Sequence, residues 1–157
     1  MLKLTGEYQH VVDGKGRVLV SNKLRTQIDV DQHGGDFYLV LGANGVLCLY
    51  PEKCYEQLVH LMAQDAKAPD EAVAFERMSF ALASKVELDN QGRLLLNERL
   101  RKRAGLKEDI TLTGSGDHIE LWNTDDWEQY LRDHMPQYQD QMTQARHLVM
   151  QQQAKEL

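Results

Sequence analysis

Residues 13–25 have the sequence DGKGRVLVSNKLR, and residues 89–101 have the sequence DNQGRLLLNERLR. At an offset of 76 residues, the two stretches share Asp, then Gly-Arg, then Leu and a closing Leu-Arg. A second match, at an offset of 72, relates residues 49–57 to residues 121–129, and both segments end in an aromatic residue followed by Glu-Gln. Two copies are too few for a solenoid, whose repeats need several neighbours to bury a core. The sequence therefore predicts a duplicated half-domain.

Length and composition agree with one compact domain. A chain of 157 residues, 42% of them hydrophobic, can bury roughly two thirds of the surface that it exposes when unfolded. The two cysteines, Cys48 and Cys54, have unlike surroundings and are expected to be reduced thiols, as in cytosolic proteins. The N-terminal stretch MLKLTGEYQHVV contains no cationic leader and no apolar run that could cross a bilayer. We expect a soluble cytoplasmic protein with no membrane association and no cofactor.

The first half predicts strands, two hairpins and two helix starts. Strand-like runs flank residues 13–16, whose glycines permit positive φ, so a hairpin is expected there. Ser21 or Asn22 can cap a short helix. A second hairpin is expected at Asn44-Gly45, between the runs DFYLVLG and VLCLY. Pro51 suits the first turn of the helix that follows.

The second half repeats this order. The runs SKVEL and RLLL flank residues 89–92, and Asn97 can cap a helix that stops at Gly105. The runs DITLTG and HIELW predict another hairpin, and Thr124 followed by two aspartates predicts a helix start.

These elements define the expected organisation of the chain. Residues 1–157 form a single domain of two repeats, about 7–53 and 84–127, joined by a helical segment, 54–83. Pro69-Asp70 breaks that segment into two helices. The polar, Gln-rich tail, 136–157, is expected to be helical or flexible.

The doubled Asp-x-x-Gly-Arg motif, with each Arg followed seven residues later by Leu-Arg, resembles the MraZ family. The resemblance covers nearly the whole chain except about the last twenty residues. That family usually has Pro where this chain has Ser21 and Asn97, so the strand exit after each motif is expected to be less rigid here.

The resemblance implies an α+β fold with a mainly β core, formed by a duplicated swapped-hairpin (AbrB-like) barrel with flanking helices. It further implies a ring-shaped homo-oligomer that binds double-stranded DNA and regulates transcription. The implied target is the promoter of the division and cell-wall gene cluster, recognised through G-rich direct repeats. A nucleoid-associated location follows from that function.

The net charge of the protein does not favour DNA binding, but the distribution of its charged residues does. The net charge of −6 and the pI near 5.5 would repel a polyanion at long range. The acids, however, are few in the segments that follow the aspartate of each motif. Residues 14–28 contain four cations and no acid, and residues 93–107 contain six cations against the single acid Glu98. A fold that brings both motifs to one edge would give this acidic protein one basic surface.

The motif residues divide into two expected roles. Arg17 and Arg93 are the candidate DNA contacts, because a planar guanidinium can bind a phosphate or pair with guanine O6 and N7. Lys15 is expected to contact phosphate. The expected loop-forming residues are Asp13, Gly16, Asp89 and Gly92. Alternatively, each Arg only pairs with the Asp of its own loop, and the stretch RLRKR is only a solvated helix end.

An enzyme and a ring-forming protein without DNA specificity are the alternatives to a DNA-binding regulator. An enzyme could use Asp13 and Asp89 as an acid/base pair, but no nucleophile with its base and no phosphate-binding glycine loop accompanies them. The six histidines show no metal-ligand spacing, so neither a catalytic nor a metal site is predicted. The main rival to a DNA-binding regulator is a ring-forming structural or partner-binding protein. That rival predicts no salt-sensitive, sequence-dependent affinity for duplex DNA.

Overall fold

The computed structural model describes residues 1–65 and 68–157. The strands are β1 (Glu7–Val11), β2 (Arg17–Leu19), β3 (Phe37–Leu41), β4 (Leu47–Pro51), β5 (Ser84–Val86), β6 (Arg93–Leu95), β7 (Asp109–Gly114) and β8 (Ile119–Asn123). The α-helices are α1 (Asn22–Arg25), α2 (Val30–His33), α3 (Glu52–Gln64), α4 (Pro69–Ala81), α5 (Glu98–Ala104) and α6 (Thr124–Lys155). The chain divides into two compact units, Met1–Thr124 and Asp125–Leu157. The fold is α+β, and the described strand pairings are antiparallel.

The strands of the first unit form an open six-stranded sheet and a two-stranded sheet. The six-stranded sheet has the order β1-β7-β8-β4-β3-β5, and the two-stranded sheet consists of β2 and β6. The β3-β4 and β7-β8 hairpins come from different repeats and meet where β4 pairs with β8. Each edge strand pairs across the repeats, because β1 adds to β7 and β5 adds to β3. The two repeats are therefore interleaved along the whole sheet.

One apolar core serves both sheets. Alternation along the strands turns every second side chain toward it. Leu49 and Ile119 pair at the β4-β8 junction, and both are fully buried. Val18 of β2 and Leu94 of β6 are buried to the same degree and belong to the same cluster. Because the two-stranded sheet packs on this shared core, its position relative to the six-stranded sheet is fixed by apolar burial.

Two of the three expected hairpins are confirmed, and the one at residues 13–16 is wrong. Strands β3 and β4 form a hairpin in which Asn44 and Gly45 have positive φ angles of 59° and 76°. Strands β7 and β8 form the other. The glycine loops at 13–16 and 89–92 do not close hairpins, because β1 pairs with β7, β2 with β6 and β5 with β3. The flanking strands exist as expected, but longer-range partners satisfy their hydrogen bonds.

The helix ends follow the expected capping chemistry. Ser21 caps α1 by accepting a hydrogen bond from the backbone N–H of Lys23, and Asn97 caps α5 in the same way. Helix α5 ends at Gly105, which adopts a left-handed conformation with φ of 64°. Pro51 is the residue before α3, one position earlier than expected. These caps anchor the segments that follow the two repeated motifs.

The central segment contains the two expected helices. Helix α3 ends at Gln64, and α4 begins at Pro69. The part of the expected helical segment at residues 66–67 lies outside the described residues. Helix α6 begins at Thr124, as expected, and continues through Pro136 to Lys155. Across the described chain, we find no helix with both the length and the apolar character required to span a bilayer.

Candidate nucleic-acid interface

The first repeated loop is organised around the carboxylate of Asp13. Its Oδ1 accepts hydrogen bonds from the backbone N–H groups of Lys15 and Arg17, each 2.9 Å long. Its Oδ2 accepts a hydrogen bond of 2.8 Å from Nε of Arg17. Gly16 has a φ of 80°, which glycine adopts without the strain that a Cβ brings. The loop thus holds the Arg17 guanidinium in one orientation.

The second loop has the same geometry. Oδ1 of Asp89 accepts hydrogen bonds of 2.9 Å from the backbone N–H groups of Gln91 and Arg93, and Oδ2 accepts one of 2.8 Å from Nε of Arg93. Gly92 has a φ of 78°. The repeated sequence therefore corresponds to a repeated three-dimensional arrangement, in which one Asp orients one Arg.

Strands β2 and β6 join the two loops. In their pairing, Arg17 lies opposite Leu95 and Leu19 lies opposite Arg93. The backbone N–H of Leu96 donates to the carbonyl of Gly16, and the N–H of Val20 donates to the carbonyl of Gly92, each at 2.9 Å. Each loop is therefore held by the strand that leaves the other loop.

This pairing puts both arginines on one surface. The central residues of β2 and β6, Val18 and Leu94, point into the core, so the residues on either side of them point outward. The Arg17 and Arg93 side chains are 29% and 28% exposed. We call the outward face of β2 and β6, together with the loops 13–16 and 89–92, the paired-loop surface.

The ion pairs leave part of each guanidinium available. In the described residues, the ion pairs of Arg17 with Asp13 and of Arg93 with Asp89 are made by Nε. The backbone N–H of Arg17 and the Arg17 side chain lower the pKa of Asp13, and Arg93 acts likewise on Asp89. Both carboxylates therefore stay ionised at neutral pH. Pairing through Nε does not by itself exclude a DNA contact, because the Nη groups lie outside the ion pair.

Lys15 distinguishes the two loops. Its side chain is exposed, and only its backbone N–H takes part in the loop hydrogen bonds. The corresponding residue of the second loop is Gln91, which is uncharged. The paired-loop surface is thus symmetric in its arginines but not in its charge.

Arg25 links the first repeat to the second loop. Its Nε donates a hydrogen bond of 2.9 Å to the carbonyl of Val20, and its guanidinium lies over Gly92, where an added Cβ would come within 2.5 Å of Cζ. The sequence placed Arg25 in a basic stretch but indicated no role, since the residue that it covers is 67 positions away. Its counterpart Arg101 instead donates to the carbonyls of Leu106 and Lys107 at the end of α5. Part of RLRKR therefore stabilises a helix end.

Comparison with known proteins matches both repeats. The family model described as "MraZ protein, putative antitoxin-like" matches residues 4–78 and 79–148. The chain belongs to the MraZ family. Each match contains one copy of the Asp-x-x-Gly-Arg motif. The family assignment thus rests on nearly the whole chain and includes both loops of the paired-loop surface.

Curated members of the MraZ family are similar over most of their length. The protein named transcriptional regulator MraZ of Finegoldia magna is 35% identical over 134 residues, which are 85% of this chain and 90% of that protein. The protein of the same name from Lachnoclostridium phytofermentans is 35% identical over 138 residues, 88% of this chain and 94% of that one. The one from Acetivibrio thermocellus is 36% identical over 128 residues, 82% and 86% of the two chains.

Proposed function

We propose that this protein is a sequence-specific DNA-binding transcriptional regulator whose paired-loop surface contacts duplex DNA. The supporting observation is the presence of two identically oriented arginines on one outward face, each held by an ionised Asp. Preorganised guanidinium groups lose little conformational freedom on binding a phosphate or the O6/N7 edge of guanine. The relatives named transcriptional regulator MraZ support the same function.

Local charge makes this surface suitable for DNA despite the net charge of −6. The segments 14–28 and 93–107, which include or follow the loops, contribute ten cations. These are Lys15, Arg17, Lys23, Arg25, Arg93, Arg99, Arg101, Lys102, Arg103 and Lys107, with Lys102 paired to Glu98. Phosphate contacts provide affinity that does not depend on sequence, whereas contacts to base edges provide discrimination. In this proposal Lys15 contacts phosphate, and Arg17 and Arg93 contact bases.

The resemblance to the family supplies the finer features of the proposal. We infer that the protein acts in the cytoplasm, associated with the nucleoid. Its target is the promoter of the division and cell-wall gene cluster, and its sites are short G-rich direct repeats. A guanine-rich sequence suits the arginines, because Arg pairs with both acceptors of guanine in the major groove.

A ring-shaped homo-oligomer fits direct repeats, because identical subunits arranged head to tail present the same surface at regular intervals. Helices α3 and α4 offer an apolar surface to such a neighbour. Its members are each more than half exposed: Leu61, Val73, Phe75, Met78 and Phe80. An apolar patch of this kind is typical of a protein interface. We propose that this α3-α4 patch contacts the next subunit, and that each subunit contains an AbrB-like swapped-hairpin barrel.

The paired loops are poorly suited to acid/base catalysis. A general acid or base near neutral pH needs a pKa close to the working pH. The donors around Asp13 and Asp89 instead lower the pKa of both carboxyl groups. We therefore propose a non-enzymatic function, with structural or partner-binding activity without DNA specificity as the rival.

A binding titration tests the proposal against that rival. The full-length protein is titrated with the duplex upstream of its own operon and with a scrambled duplex of equal composition, at about 50 mM and about 200 mM salt. Sequence-specific binding predicts tighter association with the first duplex at both salt concentrations. It also predicts that log K falls linearly with log salt, by roughly 0.9 for each phosphate neutralised. Equal affinity for the two duplexes would contradict the proposal of sequence-specific regulation.

A further inference from the structure

A cluster of three potential metal ligands lies on the six-stranded sheet, at the junction of the two repeats. Cys48 of β4 is the register partner of Glu120 of β8. His118 immediately precedes β8, and its ring stacks on Tyr50 with a centroid separation of 4.6 Å. One ligand atom from each of Cys48, His118 and Glu120 lies within 4.8 Å of the other two. Cys48 lies about 70 residues before His118 and Glu120 in sequence, and the pairing of β4 with β8 brings the three side chains together.

The surrounding hydrogen bonds orient these groups as in a metal site. Nδ1 of His118 lies 2.8 Å from Oδ1 of Asp117, while Nε2 lies 3.5 Å from Oε2 of Glu120. Oε1 of Glu120 accepts a hydrogen bond of 3.2 Å from Nε1 of Trp122. Metal-binding histidines typically have one ring nitrogen hydrogen-bonded to a carboxylate, which fixes the ring while the other nitrogen binds the cation. Asp117 and Trp122 provide such support here.

We propose that Cys48, His118 and Glu120 form a zinc-binding site that joins the first repeat to the second. Zinc binds thiolate, imidazole and carboxylate ligands at about 2.0–2.3 Å in a tetrahedral arrangement, so its ligand atoms are about 3.3–3.8 Å apart. The separation of 3.5 Å between His118 and Glu120 already falls in that range. Three protein ligands leave the fourth position for water. The thiolate argues against Mg²⁺ and Ca²⁺, which prefer oxygen ligands.

The burial of the cluster is suited to a bound cation. The Cys48 residue is only 3% exposed, while the His118 and Glu120 side chains are 17% and 27% exposed. A cation can therefore enter from the solvent side of His118 and Glu120 and reach the thiol beneath them. Zinc must displace protons from these groups, as is usual for thiol and imidazole ligands.

Cobalt substitution tests the site, since Co²⁺ takes the same ligands and reports on thiolate coordination by its absorption. The untagged full-length protein, stripped with a chelator, is titrated with Co²⁺ and then with Zn²⁺. We expect one Co²⁺ per chain, with a near-ultraviolet sulfur-to-cobalt charge-transfer band that Zn²⁺ abolishes. Cys48→Ser should remove the band. Cys54→Ser, which changes the other buried cysteine, should retain it.

A second pair of variants tests the site even if Cys48→Ser does not fold. Glu120→Gln keeps the thiolate, so the band should persist while zinc affinity falls by at least about tenfold. Glu98→Gln changes a carboxylate on α5 and should leave the affinity unchanged. The proposal is overturned if the parent chain shows no charge-transfer band, or if the two carboxylate variants bind zinc equally well. It is likewise overturned if the band is lost in Cys54→Ser but not in Cys48→Ser.

Discussion

Gly16 and Gly92 hold the same position in the two loops, but their surroundings differ. Both have a φ near 80°, so a Cβ would be strained in either loop. Around Gly16, the nearest atom to an added Cβ is the carbonyl oxygen of Leu96 at 3.8 Å, an ordinary contact. Around Gly92, the Arg25 guanidinium lies within 2.5 Å of such a Cβ. The second loop therefore tolerates a side chain less well than the first.

These neighbours predict unequal effects of the same substitution. Gly16→Ala is expected to lower the free energy of unfolding by about 1–2 kcal/mol, from backbone strain alone. Gly92→Ala should cost about 1 kcal/mol more, because it displaces Arg25 from the carbonyl of Val20. Urea unfolding of both variants measures the difference. In an Arg25→Ala background the excess should vanish, and equal losses in the parent chain would contradict this explanation.

The Asp-Arg pairs predict a dependence of stability on pH. The pKa of Asp13 is below its ordinary value of 3.8 in the folded protein, mainly because the backbone N–H and side chain of Arg17 favour the ionised carboxylate. A lowered pKa stabilises the fold at pH values above the pKa of the unfolded state. This contribution is lost as the pH falls through the pKa of the folded state. Asp89 behaves in the same way.

The double variant Asp13→Asn/Asp89→Asn tests this linkage. Asn keeps one acceptor oxygen for the loop N–H groups but removes the negative charge opposite Arg17 and Arg93. At pH 7 the urea midpoint of the double variant should be lower than that of the parent. The difference between the two midpoints, called the gap here, should shrink as the pH falls below about 4. The Asp→Asn change at Asp140, an exposed residue of α6, serves as the control. A gap that is the same at pH 7 and pH 3 would mean that the charges contribute nothing.

At the level of elements, the sequence predicted the strands better than their partners. The hairpin at Asn44-Gly45 was predictable, because both residues readily adopt the positive φ of the short turn at residues 43–45, and such a turn pairs the strands on either side of it. Residues 13–16 carry similar turn residues, but β1 and β2 pair with β7 and β6 instead. A loop closed by its own Asp carboxylate satisfies its backbone N–H groups locally. Such a loop can therefore join two strands that pair with different partners. The local sequence does not distinguish this arrangement from a hairpin.

The candidate site was predictable in part for the same reason. The motif itself revealed Arg17 and Arg93, because duplication made a short signal stand out. The contact between Arg25 and the Gly92 loop, and the cluster of Cys48 with His118 and Glu120, depend on pairing across the repeats. Residues so far apart in sequence show no spacing that indicates a shared site. Their proximity follows only from the register of β4 with β8.

At the level of the whole molecule, the interleaved strands make each half incomplete. Residues 1–76 include β1 and β2, whose partners β7 and β6 lie in the second half. Strand β4 would also lose its pairing with β8. Unpaired strand edges and a half-formed core are not independently stable. The fragment 1–76 is therefore expected to show no cooperative unfolding transition by circular dichroism, and a cooperative, soluble monomer would contradict the interleaved fold.

The α3-α4 patch gives a prediction about assembly. Phe80 is 54% exposed and lies on a helix in which no residue is buried. If this patch contacts the next subunit, Phe80→Asp places a charge in an apolar interface and should shift the protein toward smaller species. Light scattering at micromolar concentration measures the shift. Val30→Asp changes an exposed residue of α2 and should leave the mass unchanged. An 18 kDa species for the parent protein would exclude a ring.

In the proposed complex, the paired-loop surface contacts DNA through Arg17 and Arg93. Several engaged subunits would each lose the same contact in a single-site variant. Arg17→Ala and Arg93→Ala should therefore each weaken binding to the cognate duplex by more than the roughly 1–3 kcal/mol of one Arg-guanine pair. Lys15→Ala should instead lower affinity for all duplexes about equally and reduce the salt slope.

The most direct test is the affinity of Arg17→Ala and Arg93→Ala for the cognate duplex, measured beside their urea midpoints and molecular mass. Arg132→Ala, which removes the same charge from α6, is the matched control. If both arginines contact DNA, both loop variants should lose much of their affinity while their mass stays unchanged and their urea midpoint changes little, and the control should keep the parental affinity. Parental affinity in the loop variants, or a loss that only accompanies unfolding or dissociation of the oligomer, would contradict it.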